Sequence, residues 1–296
     1  MQVFDSYEQT LFSCPMVALT EYAKRHNAEN VPIAYFNFGG ITGSYNDVLA
    51  IGIISIAEEK GALAKGQPIV EVSCGSFATA LAAACVTSGH TLHLVVPMGL
   101  PPERYMYLES FGVHLIMSST SRSEQHRAAE KVVEREGAYF VNYFDNDYNT
   151  EFHRRITGPS ILEAMDSDID AIVVGVGSGG TVSGVGEYIK GYLPDVKIVA
   201  VEPYESQAIG GGIIGRHTIH GLGAGFVPEN YNAHIVDKVV AVTSASARET
   251  ANELLHKDGI PCDVASGAVI CAAIELAKAN AQLKKIVCVC GGRSIS

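Results

Sequence analysis

The residues with the plainest chemical use are Gly177, Ser178, Gly179, Gly180 and Thr181. They follow a short β-branched run, Ala171 to Val174, and precede a helical pattern through Val185, Tyr188 and Ile189. A buried strand that turns through glycines into a helix is suited to hold a phosphate. Glycines let the backbone approach an anion, the first helical N–H groups point at it, and the helix dipole favours its charge. Ser178 and Thr181 add hydroxyl donors. Two further polar turns open helices, one at 42 to 47 and one at Ser73-Cys74-Gly75-Ser76-Phe77-Ala78. A dinucleotide reading competes: Gly175-x-Gly177-x-x-Gly180 matches the dinucleotide fingerprint, and Glu202 follows the next strand where a ribose-binding acid would sit. A glycine turn that merely packs a helix is the third reading.

Composition narrows the function classes. The chain has 296 residues, 47% of them apolar, and a net charge of −11. Length and apolar content suit two modest domains or one large one with a sizeable core. The acidic balance argues against nucleic acid and anionic membrane as partners. The cysteines are 14, 74, 85, 262, 271, 288 and 290, an odd count with no C-x-x-C pair. Buried free thiols in a reducing cytoplasm are the expectation. The ten histidines show no zinc spacing, so no metal is expected. The start, MQVFDSYEQT, is not patterned as a signal peptide, and no apolar run approaches a membrane span.

The elements that must position these turns alternate along the chain. Val17 to His26 reads as a helix and Pro32 to Phe38 as a strand. A helix runs to Lys60, with strands at Pro68 to Val72, Thr91 to Val96, Val113 to Met117 and Tyr139 to Tyr143. Helices intervene at Thr79 to Ser88, Glu103 to Phe111 and Arg122 to Glu136. Beyond the glycine turn come the strand Lys197 to Val201, a glycine-dense loop from Gly210 to Gly225, the helix Ala245 to Asp258 and a last strand, Ile286 to Cys290. Sustained alternation predicts an α/β architecture with mostly parallel sheets. Ligands then collect at the carboxyl ends of strands. Three donor-rich turns suit a small polyanionic ligand better than a long dinucleotide.

Together these motifs resemble the fold-type II pyridoxal-phosphate enzymes, most closely the cysteine synthase (O-acetylserine sulfhydrylase) branch. Gly177-Ser178-Gly179-Gly180-Thr181-Val182-Ser183-Gly184 is similar to that family's phosphate-cup turn, G-T-G-G-T-x-x-G. Val199-Ala200-Val201-Glu202-Pro203 resembles its V-x-V-E-P strand, and Gly221 to Pro228 its G-I-G-A-G-F-x-P loop. Thr157-Gly158-Pro159 and Ser266-Gly267-Ala268 also fit. The resemblance implies two three-layer α/β subdomains of tryptophan synthase β-like architecture. Residues 1–41 with 145–296 would form the larger, cofactor-phosphate-binding one, and 42–144 the smaller, mobile, substrate-side one. It also implies pyridoxal 5′-phosphate as cofactor, an amino-acid substrate and a homodimer.

The departures from the family pattern fall in the other two turns and in the stretches 142–144 and 290–293. The family's G-S-x-K-D-R, whose lysine forms the Schiff base with the cofactor, reads Gly43-Ser44-Tyr45-Asn46-Asp47-Val48. An amide nitrogen is delocalised into its carbonyl; it can neither form an imine nor shuttle the α-proton. The family's T-S-G-N-T-G reads Ser73-Cys74-Gly75-Ser76-Phe77-Ala78, so Ser76 stands where an asparagine meets the cofactor ring and Phe77 replaces a threonine. The family's N-Q-F, whose glutamine helps hold the substrate carboxylate, reads Asn142-Tyr143-Phe144. The stretch that supplies a serine to the pyridine nitrogen shortens to Cys290-Gly291-Gly292-Arg293, which puts Cys290 or Gly291 opposite that nitrogen by rough alignment. By the resemblance, Gly177 to Thr181, Ser76 and Cys290 bind cofactor, and Ser73, Cys74, Gly75, Phe77, Tyr143 and Gly221 bind substrate.

The expected activity is therefore β-elimination or β-replacement on a β-substituted amino acid of the cysteine or O-acetylserine type. With Asn46 at the lysine position, the chain as written is expected to be inactive or trapped as an external imine. The alternative is a diverged, non-catalytic ligand-binding or regulatory homologue. Asn46 fits either a replacement made to trap a bound species or natural divergence. Several single residues have plainer uses. Cys74 at a helix N-terminus could be a nucleophile, but packing beside an alanine-rich helix is expected. Tyr45 is expected to pack, Asp237 to be solvated, and His153 and His220 to lie on the surface.

Overall fold

Along the strand Ala171–Gly175, successive side chains enter two different cores. Ala171 and Val173 join one, while Ile172 and Val174 join the other. A strand buried on both faces is what a run of β-branched residues without polar alternation produces. Each such valine or isoleucine contributes roughly 1.5–3 kcal/mol by leaving water. A computed structural model describes Val3 and residues 7–12 and 14–293 of the chain. The first residues of the expected lead-in lie outside that set.

The described residues divide into two compact units, Met1–Gly39 with Asn149–Ser296, and Gly40–Tyr148. The strands are β1 Met16–Ala18, β2 Ile33–Phe36, β3 Ile69–Val72, β4 Leu92–Pro97, β5 His114–Ser118, β6 Tyr139–Phe140, β7 Ala171–Gly175, β8 Lys197–Pro203, β9 Lys238–Val242 and β10 Ile286–Cys290. In the first unit the sheet order is β1-β2-β10-β7-β8-β9. Every pair in it is parallel except β1 with β2. One face is covered by the helices Ser244–Glu253 and Val264–Ala279, and the other by Gly158–Ala164 and Gly180–Tyr192. That makes three layers.

The second unit holds a wholly parallel sheet, β5-β4-β3-β6. The helix Arg122–Glu136 covers one face through Ala129 and Val132, which pack with Val70 and Val95. The helix Ser76–Ser88 packs on β4 and against the helix Asn46–Glu59. Parallel order requires each crossover to place a helix on a face, which is why strand and helix alternate in the chain.

Three local expectations are corrected. Val17 and Ala18 are not helical; they pair with Ala34 and Ile33 in an antiparallel edge ladder, and the helix is only Thr20–Arg25. Helical spacing of apolar residues there was outweighed by backbone pairing that the spacing cannot reveal. The strand expected at Tyr139 to Tyr143 stops at Phe140, because Asn142 takes a left-handed φ of 48°. Leu254–Asp258, the end of the helix expected from Ala245, is a single π turn, and His153–Thr157 forms another. Such turns are often found at functional sites.

Candidate functional site

In the first unit, β7 ends at Gly175, and Gly179 turns the chain with φ 86° as N-cap of the helix Gly180–Tyr192. Each glycine of the turn lies against something that leaves no room for a side chain. A Cβ on Gly177 would lie 2.2 Å from the Gly221 carbonyl oxygen, and one on Gly180 2.0 Å from Asn149 Oδ1. The Gly221 loop is thereby seated on the turn, and Gly223 N donates to Val176 O at 2.9 Å. Ser178 and Thr181 are buried at 6% and 5% exposure. Asn149 Nδ2 donates to Ser178 Oγ at 3.0 Å, and Thr181 Oγ1 lies 3.1 Å from His153 Nε2.

This turn fits a phosphate: glycines packed too tightly for side chains, two buried hydroxyls and a helix N-terminus. No lysine or arginine lies between 175 and 186, so the attraction there is from dipoles and hydrogen bonds. The expectation for His153 is corrected here. It is 1% exposed, not on the surface, and burial pushes its pKa down to about 3, so the ring is neutral. His220 is exposed. Glu202 is unavailable to a ribose, because its carboxylate accepts from Ile209 N and Gly210 N, both at 3.0 Å. Asp237 is held rather than solvated, accepting from Ile198 N at 2.7 Å and Lys190 Nζ at 2.8 Å.

Cys290 ends β10, one residue beyond the Val289–Val174 register with β7. It is 1% exposed, and burial holds its thiol neutral, with a pKa well above the ordinary range. Ser266, capped by Asp263 at the start of the helix Val264–Ala279, donates its Oγ to Gly292 O at 3.1 Å and so fixes the shortened loop after Cys290. Among the described residues all seven cysteines are free.

In the second unit, Asn46 is the first residue of the helix Asn46–Glu59. The turn before it is tied by Asp47, whose carboxylate accepts from Thr42 N at 3.2 Å and Thr42 Oγ1 at 2.7 Å. Asn46 Nδ2 donates to Ser76 Oγ at 2.8 Å. Asn46 Oδ1 is buried and meets no donor among the described residues. Ser76 in turn begins the helix Ser76–Ser88, after Ser73, Cys74 and Gly75. Arg104 holds that loop from behind: Nε donates to Cys74 O at 2.8 Å, and Nη2 to Gly75 O at 2.7 Å and Thr79 Oγ1 at 2.9 Å.

Phe77 stacks on Tyr143 with ring centroids 4.1 Å apart, so two departures from the family pattern form one aromatic pair. Beneath them Glu71 Oε2 accepts from Tyr143 N at 3.3 Å. Glu71 is 2% exposed, and burial pushes its pKa up to about 8 against the lowering effect of backbone donors at Tyr143, Val72 and Asn142. Burial likewise raises the Cys74 thiol, more than the Arg104 charge lowers it. A thiol so placed is a packing group, not an activated nucleophile.

Within the first unit the structure thus brings together Gly177 to Thr181 and Gly221, with Cys290 closing the strand beside β7. Within the second it brings together Asn46 with Ser76, and Phe77 with Tyr143, around the Ser73 to Gly75 loop. Asn149, His153, Glu71 and Arg104 were missed as site residues. The partners that tie them to the site lie 25 to 72 positions away in the chain, so local pattern carried no signal for that placement.

A family model described as "Pyridoxal-phosphate dependent enzyme" matches residues 8–292. A cysteine synthase of Staphylococcus aureus is 34% identical over 289 residues, covering 96% of this chain and 92% of the relative. The crystal structure of O-acetylserine sulfhydrylase isoform 3 from Entamoeba histolytica superposes with a TM-score of 0.93 at 29% identity, covering 99% of this chain and 89% of that one. A lysine-to-alanine mutant of O-ureido-L-serine synthase, solved with O-ureido-L-serine bound, superposes at 0.88 and 27% identity, covering 99% and 91%. The three-layer α/β architecture with mostly parallel sheets is therefore that of fold-type II enzymes.

Proposed function

The chain belongs to the pyridoxal-phosphate-dependent enzyme family, and from that premise we propose that it binds a pyridoxal-phosphate ligand without a covalent bond at position 46. Its lineage acts on β-substituted amino acids of the cysteine or O-acetylserine type. One observation carries the reading: the side chain at 46 is an amide hydrogen-bonded to Ser76, not an amine. The names of the similar proteins, a cysteine synthase, an O-acetylserine sulfhydrylase and an O-ureido-L-serine synthase, support the substrate class.

When bound, pyridoxal phosphate supplies a ring that stabilises negative charge at the α-carbon of an amino acid. By the resemblance Gly177 to Thr181 would hold its phosphate, and the neutral Cys290 thiol would meet its pyridine nitrogen. By the same resemblance Ser76 would meet the ring oxygen, and Ser73, Cys74, Gly75, Phe77 and Tyr143 would meet the amino acid. Gly221 carries the remaining substrate contact. Asn46 Oδ1, which meets no protein donor among the described residues, would accept from the amino nitrogen of a bound amino acid. No group at 46 removes or returns the α-proton. Such help is worth roughly 10²–10⁴-fold in rate, so turnover by this chain is lower by at least that factor than in Asn46→Lys. A homodimer and a cytoplasmic site complete the reading; sedimentation near 31.4 kDa at micromolar concentration would count against the dimer.

Borohydride reduction tests the central point. The chain as it stands should retain no covalently attached cofactor, whereas Asn46→Lys should retain one per chain and gain β-elimination on cysteine or O-acetylserine. Cofactor fixed to the unaltered protein would show that another lysine serves. The paired substitution Thr181→Ala with Gly179→Asp should abolish cofactor retention, and unchanged occupancy would sink the phosphate assignment. A second reading, a non-catalytic binding or regulatory protein, is favoured by the Phe77–Tyr143 stack where the family has threonine and glutamine. An Asn46→Lys protein that fixes cofactor yet stays inert would select it.

A further inference from the structure

His153 stands between two hydroxyls, with Nδ1 2.9 Å from Thr157 Oγ1 and Nε2 3.1 Å from Thr181 Oγ1. All three residues are buried, at 1%, 8% and 5% exposure. A neutral imidazole carries one N–H and one bare nitrogen, so its two hydroxyl neighbours must take opposite roles. In one arrangement Nδ1–H donates to Thr157, and Thr181 spends its only proton on Nε2. In the other, Thr157 donates to Nδ1, Nε2–H donates to Thr181, and the proton of Thr181 is released toward the cup.

We propose that His153 is the positioning residue of the phosphate turn: as the Nε2–H tautomer it donates to Thr181 and so turns that hydroxyl into a donor for a phosphate dianion. Ser178 is oriented in the same sense, since Asn149 Nδ2 can only donate to its oxygen. Both struts belong to one segment, the helix Asp147–Phe152 and the π turn His153–Thr157. That segment is pressed onto the phosphate-side helix where glycines replace side chains. A Cβ on Gly180 would lie 2.0 Å from Asn149 Oδ1, and one on Gly184 2.8 Å from His153 Cβ. The result is a donor set without a formal charge, suited to a fully deprotonated phosphate that presents only acceptors. A ring this deeply buried stays neutral across the working pH range, its pKa pushed down to about 3, so it sets direction rather than adding charge.

The proposal rests on the phosphate reading of the Gly177 turn, and its test separates the two. Affinities for pyridoxal 5′-phosphate and for unphosphorylated pyridoxal are measured by fluorescence titration of the full chain. Thr181→Val should weaken the phosphorylated ligand about tenfold or more and leave pyridoxal unchanged; no effect would overturn both the phosphate turn and the role of His153. With Thr181→Val effective, His153→Leu should produce a similar loss. His153→Gln, whose amide can still donate from the Nε2 position, should restore affinity to within about threefold. The double variant His153→Leu with Thr181→Val should be no weaker than Thr181→Val alone. Should His153→Leu fail to fold, Thr157→Val gives the same readout, with a smaller loss expected and none overturning the idea. Nitrogen NMR of the histidine ring in the complex with pyridoxal 5′-phosphate should show Nε2 protonated and Nδ1 bare. The reverse tautomer, or wild-type affinity in His153→Leu, overturns the proposal while the phosphate turn stands.

Discussion

A Cβ added at Gly177 would lie 2.2 Å from the Gly221 carbonyl oxygen and one at Gly179 2.8 Å from Tyr231 N, whereas one at Gly75 would meet nothing within 4 Å. Both regions are glycine-bearing turns that open helices, yet they are built differently. The turn of the first unit is shaped by backbone packed on backbone, so its outline tolerates almost no change. The loop of the second unit is held by polar struts: Arg104 on its carbonyls, Asn46 on Ser76, and Glu71 beneath Tyr143. Struts fix a backbone while leaving the outward side chains free to differ. That accounts for why the glycines at 177, 179, 180 and 184 keep the family pattern while the second unit departs from it at 46, 76, 77 and 143.

The sharpest way to break the contrast is to fill the glycines. Gly177→Ala should destabilise the protein by about 3 kcal/mol, since the obstacle is a carbonyl and not a movable side chain. Gly75→Ala, at φ −91° in extended backbone, should cost less than about 1 kcal/mol, the difference between glycine and alanine at an N-cap. Urea unfolding compares the two, and equal losses would erase the distinction.

The two regions should also respond oppositely to pH. Glu71 is held protonated: its folded pKa of about 8 lies above the ordinary carboxylate value of 4.5. Between those values the unfolded chain binds fewer protons, so stability is full in acid and falls as pH rises toward 8. His153 is the converse. Its folded pKa of about 3 lies below the ordinary 6.5, so stability is full above 6.5 and falls as pH drops toward 3. Glu71→Gln should remove the alkaline loss, roughly 2 kcal/mol or more between pH 5 and 8, and leave the acid loss in place. A pH profile of unfolding that Glu71→Gln does not flatten would show Glu71 already ionised.

Arg104→Ala should cost about 1 kcal/mol through its bonds to Cys74 O and Gly75 O. The effect should appear locally, as faster hydrogen exchange across 73–79 with 177–184 unchanged. The smallest effect concerns Cys74. At pH 7 its alkylation by iodoacetamide should be no faster than that of an ordinary thiol, because burial outweighs the Arg104 charge. Rapid, selective labelling would restore the nucleophile reading.

Much of this was legible in the residue order. Runs such as Ala171 to Val174 and Ile286 to Cys290 announce strands buried on both faces, and glycine–hydroxyl turns before helical spacing announce anion-binding helix starts. The absence of an amine at 46 is a property of asparagine itself and needs no fold to be known. Helix and strand limits were readable to within a few residues wherever period and turn chemistry agreed, as over Arg122–Glu136.

The tertiary structure decided what depends on partners distant in the chain. It made Met16–Ala18 an antiparallel edge strand, because the ladder with β2 outweighs local spacing. It joined Phe77 to Tyr143, seated Gly221 on Gly177 and drew His153 inward between Thr157 and Thr181. It also set the charge of buried groups, leaving Glu71 with its proton and His153 without a second one. Local sequence fixes which backbone conformations and functional groups exist. Burial, packing distance and protonation are determined only when remote segments meet and exclude water.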